Sequence, residues 1–503
     1  MRIESFSEGV AFWQDSNRLT VLLLVPFYSF WPRYETKRAG CPIGLELIAS
    51  ELVAQGFNVI FIDACMAAYE QLTPQPDGTV RYGLTDDQLR NVLARFNPVV
   101  AGITSLFSNQ HGNVEAVAQI VRQVYPKAII IEGGGHATGD VNEVLKSQNV
   151  DMVVRKEGLV TFPALCLSVE QGKSWRNLTD ELGVSFKNEA GRIVENLDRP
   201  FLPNFDGLAE RKLEIPLHPM YNTPEHTGGS RFPKEGRFAT MIFRVGCGFS
   251  CTFCLIWKLA GRVRGYGLVR FRQEVVRLKA AGVTQIIIED DMFFDDIPLA
   301  LAVAEILKEY DMAWFEEGGL SMFKFMNPGV PGLTYKQILD KLVETGCYRF
   351  YLAIESANKQ SLKKSHKPHI NTEVDLAEEI VRYAAYKGIQ AVGGFMLGFK
   401  TDGGHEESLE DMETTVALAY RLKLAGLAYV MLFIVTAIPG TELYRYLKSI
   451  FPHLDLRTSH ERSAFPVGGL TPTELTERRL QWMAYVNSKG CMEIAQRSKN
   501  WGL

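Results

Sequence analysis

Through the first two hundred residues, short apolar runs rich in β-branched residues alternate with helical patterns, which predicts a parallel sheet wrapped by helices. The predicted strands are Leu19–Val25, Asn58–Ile62, Val99–Ile103, Ala128–Ile131 and Met152–Val154. Between the first two, Pro42 suits a first helical turn, Leu45, Ile48 and Leu52 recur on one face, and Gly56 can end the helix. Thr85 with Gln88 spells a capping box, and Leu89, Val92, Leu93 and Phe96 form the inner stripe behind it. The expected fold of this part is α/β and doubly wound. Ligands of such sheets sit beyond the carboxyl ends of the strands, here Pro26-Phe27-Tyr28, Asp63, Thr104-Ser105-Leu106 and Gly133-Gly134-Gly135-His136. The glycine run permits close backbone approach to a bulky ligand, and no G-x-G-x-x-G opens a helix after the first strand. His136 after such a loop reads as a turn or packing residue rather than a metal ligand.

From about Leu202 to Lys234 the pattern breaks into Pro, Gly, Asn and charge, including Pro216, Pro219, Pro224 and Pro233, and reads as a linker or a covering loop. A second series of strands follows at Thr240–Phe243, Gln285–Glu289, Met312–Phe315, Arg349–Ile354, Gln390–Leu397 and Tyr429–Phe433, with helical segments between them. Six β/α units are expected. Reactive groups of such an array belong at the strand carboxyl ends, which carry Glu289-Asp290-Asp291, Glu316-Glu317-Gly318-Gly319, Glu355-Ser356 and the Gly398 turn. Acidic residues there can also cap the next helix, the reading preferred for Asp295 and Asp296. The expected division is 1–201, a connecting stretch 202–235, the β/α array 236–445 and a mostly helical segment 446–503 that includes Thr471-Pro472-Thr473-Glu474.

Composition narrows the class. A chain of 503 residues, 46% apolar and 22% charged, supports more than one sizeable core. A net charge of -4 without a basic block gives no electrostatic footprint for nucleic acid, so a small-molecule substrate is expected. Three of the eight cysteines cluster and the others, Cys41, Cys65, Cys166, Cys347 and Cys491, are scattered, which is no disulfide framework and implies a reducing compartment. Met1-Arg-Ile-Glu lacks the apolar run of a signal peptide, and the apolar stretches are too short to span a bilayer. The expectation is a cytoplasmic protein without membrane insertion.

The clustered cysteines form Cys247-Gly-Phe-Ser-Cys251-Thr-Phe-Cys254. Three thiolates in a C-x3-C-x2-C loop can hold a four-iron four-sulfur cluster with one iron left open. A closed zinc site would need a fourth ligand, and neither Cys347 nor His366 stands at finger or ribbon spacing. The spacing, with Phe253 before the third cysteine, resembles that of the radical S-adenosylmethionine (SAM) enzymes. Ile288-Glu289-Asp290-Asp291-Met292-Phe293, Ala353-Ile354-Glu355-Ser356, Gly394-Phe395-Met396-Leu397-Gly398-Phe399 and Pro439-Gly440-Thr441-Glu442-Leu443 resemble further motifs of that superfamily. The resemblance implies a partial (β/α)6 barrel, with Cys247, Cys251 and Cys254 on the cluster. It also implies SAM contacts from Phe253, Asp290, Glu316, Glu355, Ser356 and Phe395.

Asp63, Gly102-Ile103-Thr104-Ser105, Gly133-Gly134-Gly135-His136-Ala137-Thr138 and Arg155-Lys156-Glu157-Gly158 resemble the Rossmann-like cobalamin-binding domain that precedes many radical SAM domains. By that resemblance Thr104, Ser105, Leu106, Gly133, Gly134, Gly135, His136, Glu157 and Gly158 contact cobalamin. Together the two resemblances imply a class B radical SAM methyltransferase acting on an unactivated carbon or on phosphorus. They also imply an external electron donor such as flavodoxin or ferredoxin. A cobalamin-dependent cyclase, ring-contracting enzyme or oxidase would use the same cofactors without methyl transfer. A methylthiotransferase would need a second three-cysteine arrangement, which Cys41, Cys65 and Cys166 do not make.

Overall fold

The computed structural model describes residues 2–4, 9–14, 17–38, 40–223, 233–320, 322–367 and 370–488; Pro224, Cys491 and the rest of 489–503 lie outside them. The chain divides into two compact units. One is Met1–Phe232 with Lys258–Gly261 and Ile438–Gly440, and the other is Pro233–Trp257, Arg262–Ala437 and Thr441–Leu503.

The first unit holds a nine-stranded sheet in the order Arg2–Glu4, Val10–Gln14, Asn58–Asp63, Thr20–Val25, Val100–Thr104, Ile129–Gly133, Met152–Val154, Val184–Lys187, Ile193–Glu195. Its five central strands are parallel. They run second, first, third, fourth, fifth, the doubly wound order whose ligand crevice opens where the order reverses. The sheet is mixed rather than wholly parallel, because two antiparallel strands close each edge. Those strands are three to five residues long, and apart from Val10–Gln14 they carry polar positions such as Arg2, Glu4 and Lys187 that leave little apolar signature, while they shield the exposed ladder. A small sheet of Tyr28–Phe30, Leu72–Pro74 and Val80–Tyr82 also escapes the apolar pattern.

The helix Ile43–Ala54 starts after Pro42 and buries Leu45, Leu47 and Leu52. Gly56 follows it at φ +84°. The same helix buries Glu46, whose carboxylate takes a 2.6 Å ion pair from the equally buried Arg211. The backbone N–H of Ala209 donates to Glu51 at 2.6 Å, that of Lys212 donates to Ser50 Oγ at 3.0 Å, and Phe205, Ile215 and Tyr221 are buried. Thus the Pro-rich segment up to residue 223 packs as a cover on the first unit. The Thr85–Gln88 capping box forms as its spacing predicts.

The second unit is built on six parallel strands in chain order, Phe238–Met241, Gln285–Ile288, Ala313–Glu316, Cys347–Glu355, Gln390–Leu397 and Tyr429–Ile434. Phe238, Ile287, Phe315 and Tyr348 pack together across the first four. Helices such as Leu268–Ala280, Ile297–Glu309, Tyr335–Glu344 and Leu409–Ala425 connect the strands. A two-stranded ladder, Arg244–Val245 with Arg264–Gly265, brackets the cysteine segment. Gly265 is required there, since a Cβ would stand 2.0 Å from the Phe243 carbonyl. Among the described residues no helix is long and apolar enough to cross a membrane.

Candidate active site: strand ends around a cysteine loop

The cysteine loop leaves the first strand of the second unit and is pinned by backbone bonds that do not involve sulfur. Thr252 N–H donates to the Ser365 carbonyl, and Leu443 N–H donates to the Thr252 carbonyl, both at 3.0 Å. Cys247, Cys251 and Cys254 are free and partly buried. Burial pushes their thiols up, Cys251 to about 12 and Cys254 to about 11, with Lys367 opposing the rise at Cys251. The bare loop therefore presents thiols, and iron would displace their protons on binding. Among the described residues no three His, Cys, Asp or Glu side chains are arranged to hold a single metal ion. Thiolates of a four-iron cluster each take a different iron, so three spaced thiols on one loop fit that group. Phe253 lies edge-on to Phe399, with ring centroids 5.9 Å apart.

Beside the loop, Glu355 ends the fourth strand at φ +68°. Ser356 N–H donates back to the Ile354 carbonyl at 3.0 Å, which closes a γ-turn around Glu355. Glu355 pairs with Lys367 at 3.0 Å, and both side chains stay partly accessible. Phe395 is fully buried in the fifth strand, and Ser356 is fully buried as well. Asp290 and Glu316 are each only 1% exposed, whereas Glu289, Asp291 and Glu317 at the same strand ends remain partly accessible. Asp290 accepts from the Phe243 N–H at 2.7 Å, and Asp291 accepts from the Gly246 N–H at 2.7 Å, so the two carboxyls grip the strand end that leads into the cysteine loop. Burial raises Asp290 to about 8 against the opposing backbone N–H groups and Arg244. Burial and the Asp290 carboxyl raise Glu316 to about 8, countered in part by the peptide N–H groups of Tyr351, Gly319 and Gly318.

Neither Glu407 nor Lys367 stands in a recognisable motif. Glu407 is fully buried, and burial raises it to about 7 despite the hydrogen bonds it accepts. It follows a loop with no motif spacing, so only the fold reveals where its carboxylate goes.

In the first unit the strand ends form a cradle. Gly134 sits at φ +109°, where a Cβ would come within 2.9 Å of the Ser105 carbonyl, and one on Gly135 would come within 2.9 Å of the Leu106 carbonyl. Gly133 lies in the neighbouring strand, and Ser105 N–H donates to its carbonyl at 2.7 Å. Thr104 ends its strand partly buried, Ser105 is fully buried, and Leu106 and Phe107 are about half exposed, at 52% and 53%. A side-chain-free loop beside two apolar side chains at the mouth of a doubly wound sheet fits a large flat ligand such as a corrin. His136 is fully buried, with Nδ1 3.1 Å from Ser108 Oγ and its ring 4.5 Å from that of His111. That places it in the packing of the turn. Glu157 accepts from the Leu202 N–H at 3.2 Å, and Gly158 lets Ile48 approach to where its Cβ would be, at 2.9 Å. Gly134→Ala is expected to cost the first unit about 1–3 kcal/mol and to lower corrinoid retention, readable as an earlier urea midpoint and less cobalt per chain.

A cysteine loop of this spacing at the first strand of a six-stranded parallel β/α array, preceded in the chain by a doubly wound domain with a glycine cradle, defines an enzyme class that uses an iron-sulfur cluster, SAM and a corrinoid. Comparison with known proteins agrees. Residues 35–166 match the B12 binding domain, and residues 241–419 match the Radical SAM superfamily. The chain belongs to the radical SAM superfamily, as a member with an N-terminal B12 binding domain.

Cytidylyl-2-hydroxyethylphosphonate methyltransferase of Streptomyces wedmorensis is 27% identical over 451 residues, 84% of this chain and 81% of that one. The anaerobic magnesium-protoporphyrin IX monomethyl ester cyclase of Rubrivivax gelatinosus is 26% identical over 43% of this chain and 35% of its own length. Among solved structures, the radical SAM methyltransferase TsrM from Kitasatospora setae, with tryptophan substrate and a SAM analogue bound, superposes with a TM-score of 0.62 at 14% identity. That match covers 84% of this chain and 74% of TsrM. The cobalamin-dependent radical enzyme OxsB, with aqua-cobalamin bound, gives 0.58 at 16% identity over 87% of this chain and 56% of OxsB.

Proposed function

We propose that the protein is a cobalamin-dependent radical SAM methyltransferase that methylates an unactivated carbon, or phosphorus, of a small-molecule substrate. The observation that carries this reading is likeness to a phosphonate methyltransferase across both domains, 84% of this chain, where the cyclase likeness covers 43%. When bound, the cluster supplies the electron that cleaves SAM to a 5'-deoxyadenosyl radical, and the corrinoid supplies the methyl group. Cys247, Cys251 and Cys254 would hold three irons and leave the fourth open. Glu355, presented by its strained turn, and the partly accessible Asp291 and Glu317 supply negative charge for the ammonium and ribose hydroxyls of SAM. Phe253 and Phe399 close an apolar wall beside the cysteines. The Gly133–Gly135 backbone with Leu106 and Phe107 would seat the corrin. An external reductant such as flavodoxin or ferredoxin completes the system.

The relative's name makes a cytidylylated phosphonate the first substrate to offer. With cytidylyl-2-hydroxyethylphosphonate, labelled SAM and a reductant, the anaerobically reconstituted protein is expected to form S-adenosylhomocysteine and 5'-deoxyadenosine together with a methylated product. Formation of 5'-deoxyadenosine with a rearranged, unmethylated product would move the assignment to a cyclase. About four irons per chain without retained cobalt would remove the corrinoid from the scheme.

A further inference from the structure

Glu407 ties together two strand ends that carry the SAM-facing residues. One carboxylate oxygen accepts the backbone N–H groups of Gly398 and Phe399, at 2.7 and 3.1 Å, in the turn after the fifth strand. The other accepts from Ser356 Oγ at 3.2 Å and Ser361 Oγ at 3.3 Å, beyond the fourth strand. Glu407, Ser356, Ser361 and Thr415 are all buried, and Ser356 Oγ also stands 3.1 Å from Thr415 Oγ1. Each tied element leads to the cysteine loop. Ser356 closes the γ-turn that holds Glu355 at φ +68°, and Glu355 pairs with Lys367, beside Cys251. Phe399 packs on Phe253, between Cys251 and Cys254 in the chain. A non-glycine residue at positive φ costs about 1–3 kcal/mol and persists only when its surroundings over-determine it. The hydrogen bonds to Ser356 supply that constraint.

We infer that Glu407 is a positioning residue for SAM: its carboxylate fixes the Glu355 turn and the Gly398–Phe399 turn as one unit, so that both present their groups to SAM at the cluster. Length rather than charge is the requirement. Aspartate is one methylene short and cannot span from the Gly398 and Phe399 amides to Ser356. Glutamine spans the gap, with its oxygen on the two amides and its NH2 donating to the serine hydroxyls.

The inference rests on the proposed use of SAM, and the test separates the two. The full chain is reconstituted anaerobically and reduced, and the electron paramagnetic resonance spectrum of the cluster is followed as SAM is added. The parent protein is expected to change spectrum on SAM binding, and a parent that shows no change overturns the functional reading itself. Given that change, Glu407→Asp should keep the parent's iron content and SAM-free spectrum while needing about 10-fold or more SAM for the same shift. Glu407→Gln should stay within about 3-fold of the parent. An aspartate variant that titrates like the parent, or a glutamine variant as impaired as the aspartate one, overturns the inference. Loss of iron from Glu407→Asp with an unchanged SAM midpoint in the remaining clusters also overturns it, because it assigns Glu407 to cluster retention instead.

Discussion

Cys251→Ala leaves a folded chain that retains corrinoid but holds less than about one iron after reconstitution, against about four in the parent, and its 5'-deoxyadenosine formation falls by about 10^3-fold or more. On the proposed reading this loop would give the cluster three protein ligands, so loss of one would leave two irons without protein anchorage. The fold should survive because the loop is held through its backbone. The Thr252 bonds to Ser365 and Leu443, the Asp291 grip on Gly246 and the 244–245/264–265 ladder use no sulfur. Far-ultraviolet circular dichroism and cobalt content therefore serve as internal controls, and the iron assay with the SAM-cleavage assay gives the answer. Retention of parent-level iron with undiminished SAM cleavage would show that Cys251 is no ligand.

Much of this architecture was legible in the sequence because buried parallel strands leave continuous apolar runs. Met152–Val154 and Gln390–Leu397 form over the predicted residues, and the other predicted strands shift by a few positions at most. The edge strands were not legible. Val184-Ser-Phe-Lys187 is buried along most of its length, but it is four residues long and polar at Ser185 and Lys187, too few apolar positions to stand out from a loop. At the candidate site, the cysteine spacing announces its chemistry locally, since all three thiols lie on one loop. Which acidic residues reach the open side of the sheet is a different kind of question. In Glu289-Asp290-Asp291 the motif marks the strand end, but the pleat alternates faces, and the structure turns Asp290 into the packed layer with its neighbours accessible. Glu407 was invisible for a related reason, because its partners come from segments up to 51 residues away in the chain.

Glu132→Gln should become stabilising to the first unit as pH rises from 5 to 8.5. Glu132 lies in the strand Ile129–Gly133 between Ile103 and Val153, with no exposure. Its carboxyl lies beside the Ser105 hydroxyl without a hydrogen bond of good geometry to it. Burial, reinforced by the Glu115 charge, raises it from 4.5 to about 8, with Ser105 opposing. Below about pH 4.5 both folded and unfolded chains carry the proton, and the group has no pH-linked effect. Between 4.5 and 8 the unfolded chain ionises while the folded one holds its proton, so folding loses stability with each step in pH; above 8 the loss is complete, on the order of 3–5 kcal/mol. Glutamine cannot ionise and escapes that loss, although its amide brings a donor that also needs a partner. The thermal midpoint of the variant should accordingly match or fall slightly below the parent at pH 5 and exceed it by several degrees at pH 8.5. Asp290, Glu316 and Glu407 are raised by burial as well, but they are common to both proteins and cancel in the comparison. A difference in midpoint that stays constant from pH 5 to 8.5 would mean that Glu132 is ionised in the folded chain. The consequence reaches the glycine loop proposed to seat the corrin, because Ser105 belongs to the strand end that packs on Gly134. Alkaline solution should therefore loosen the corrinoid cradle of the parent before that of the variant, and cobalt retained after dialysis at pH 8.5 measures it.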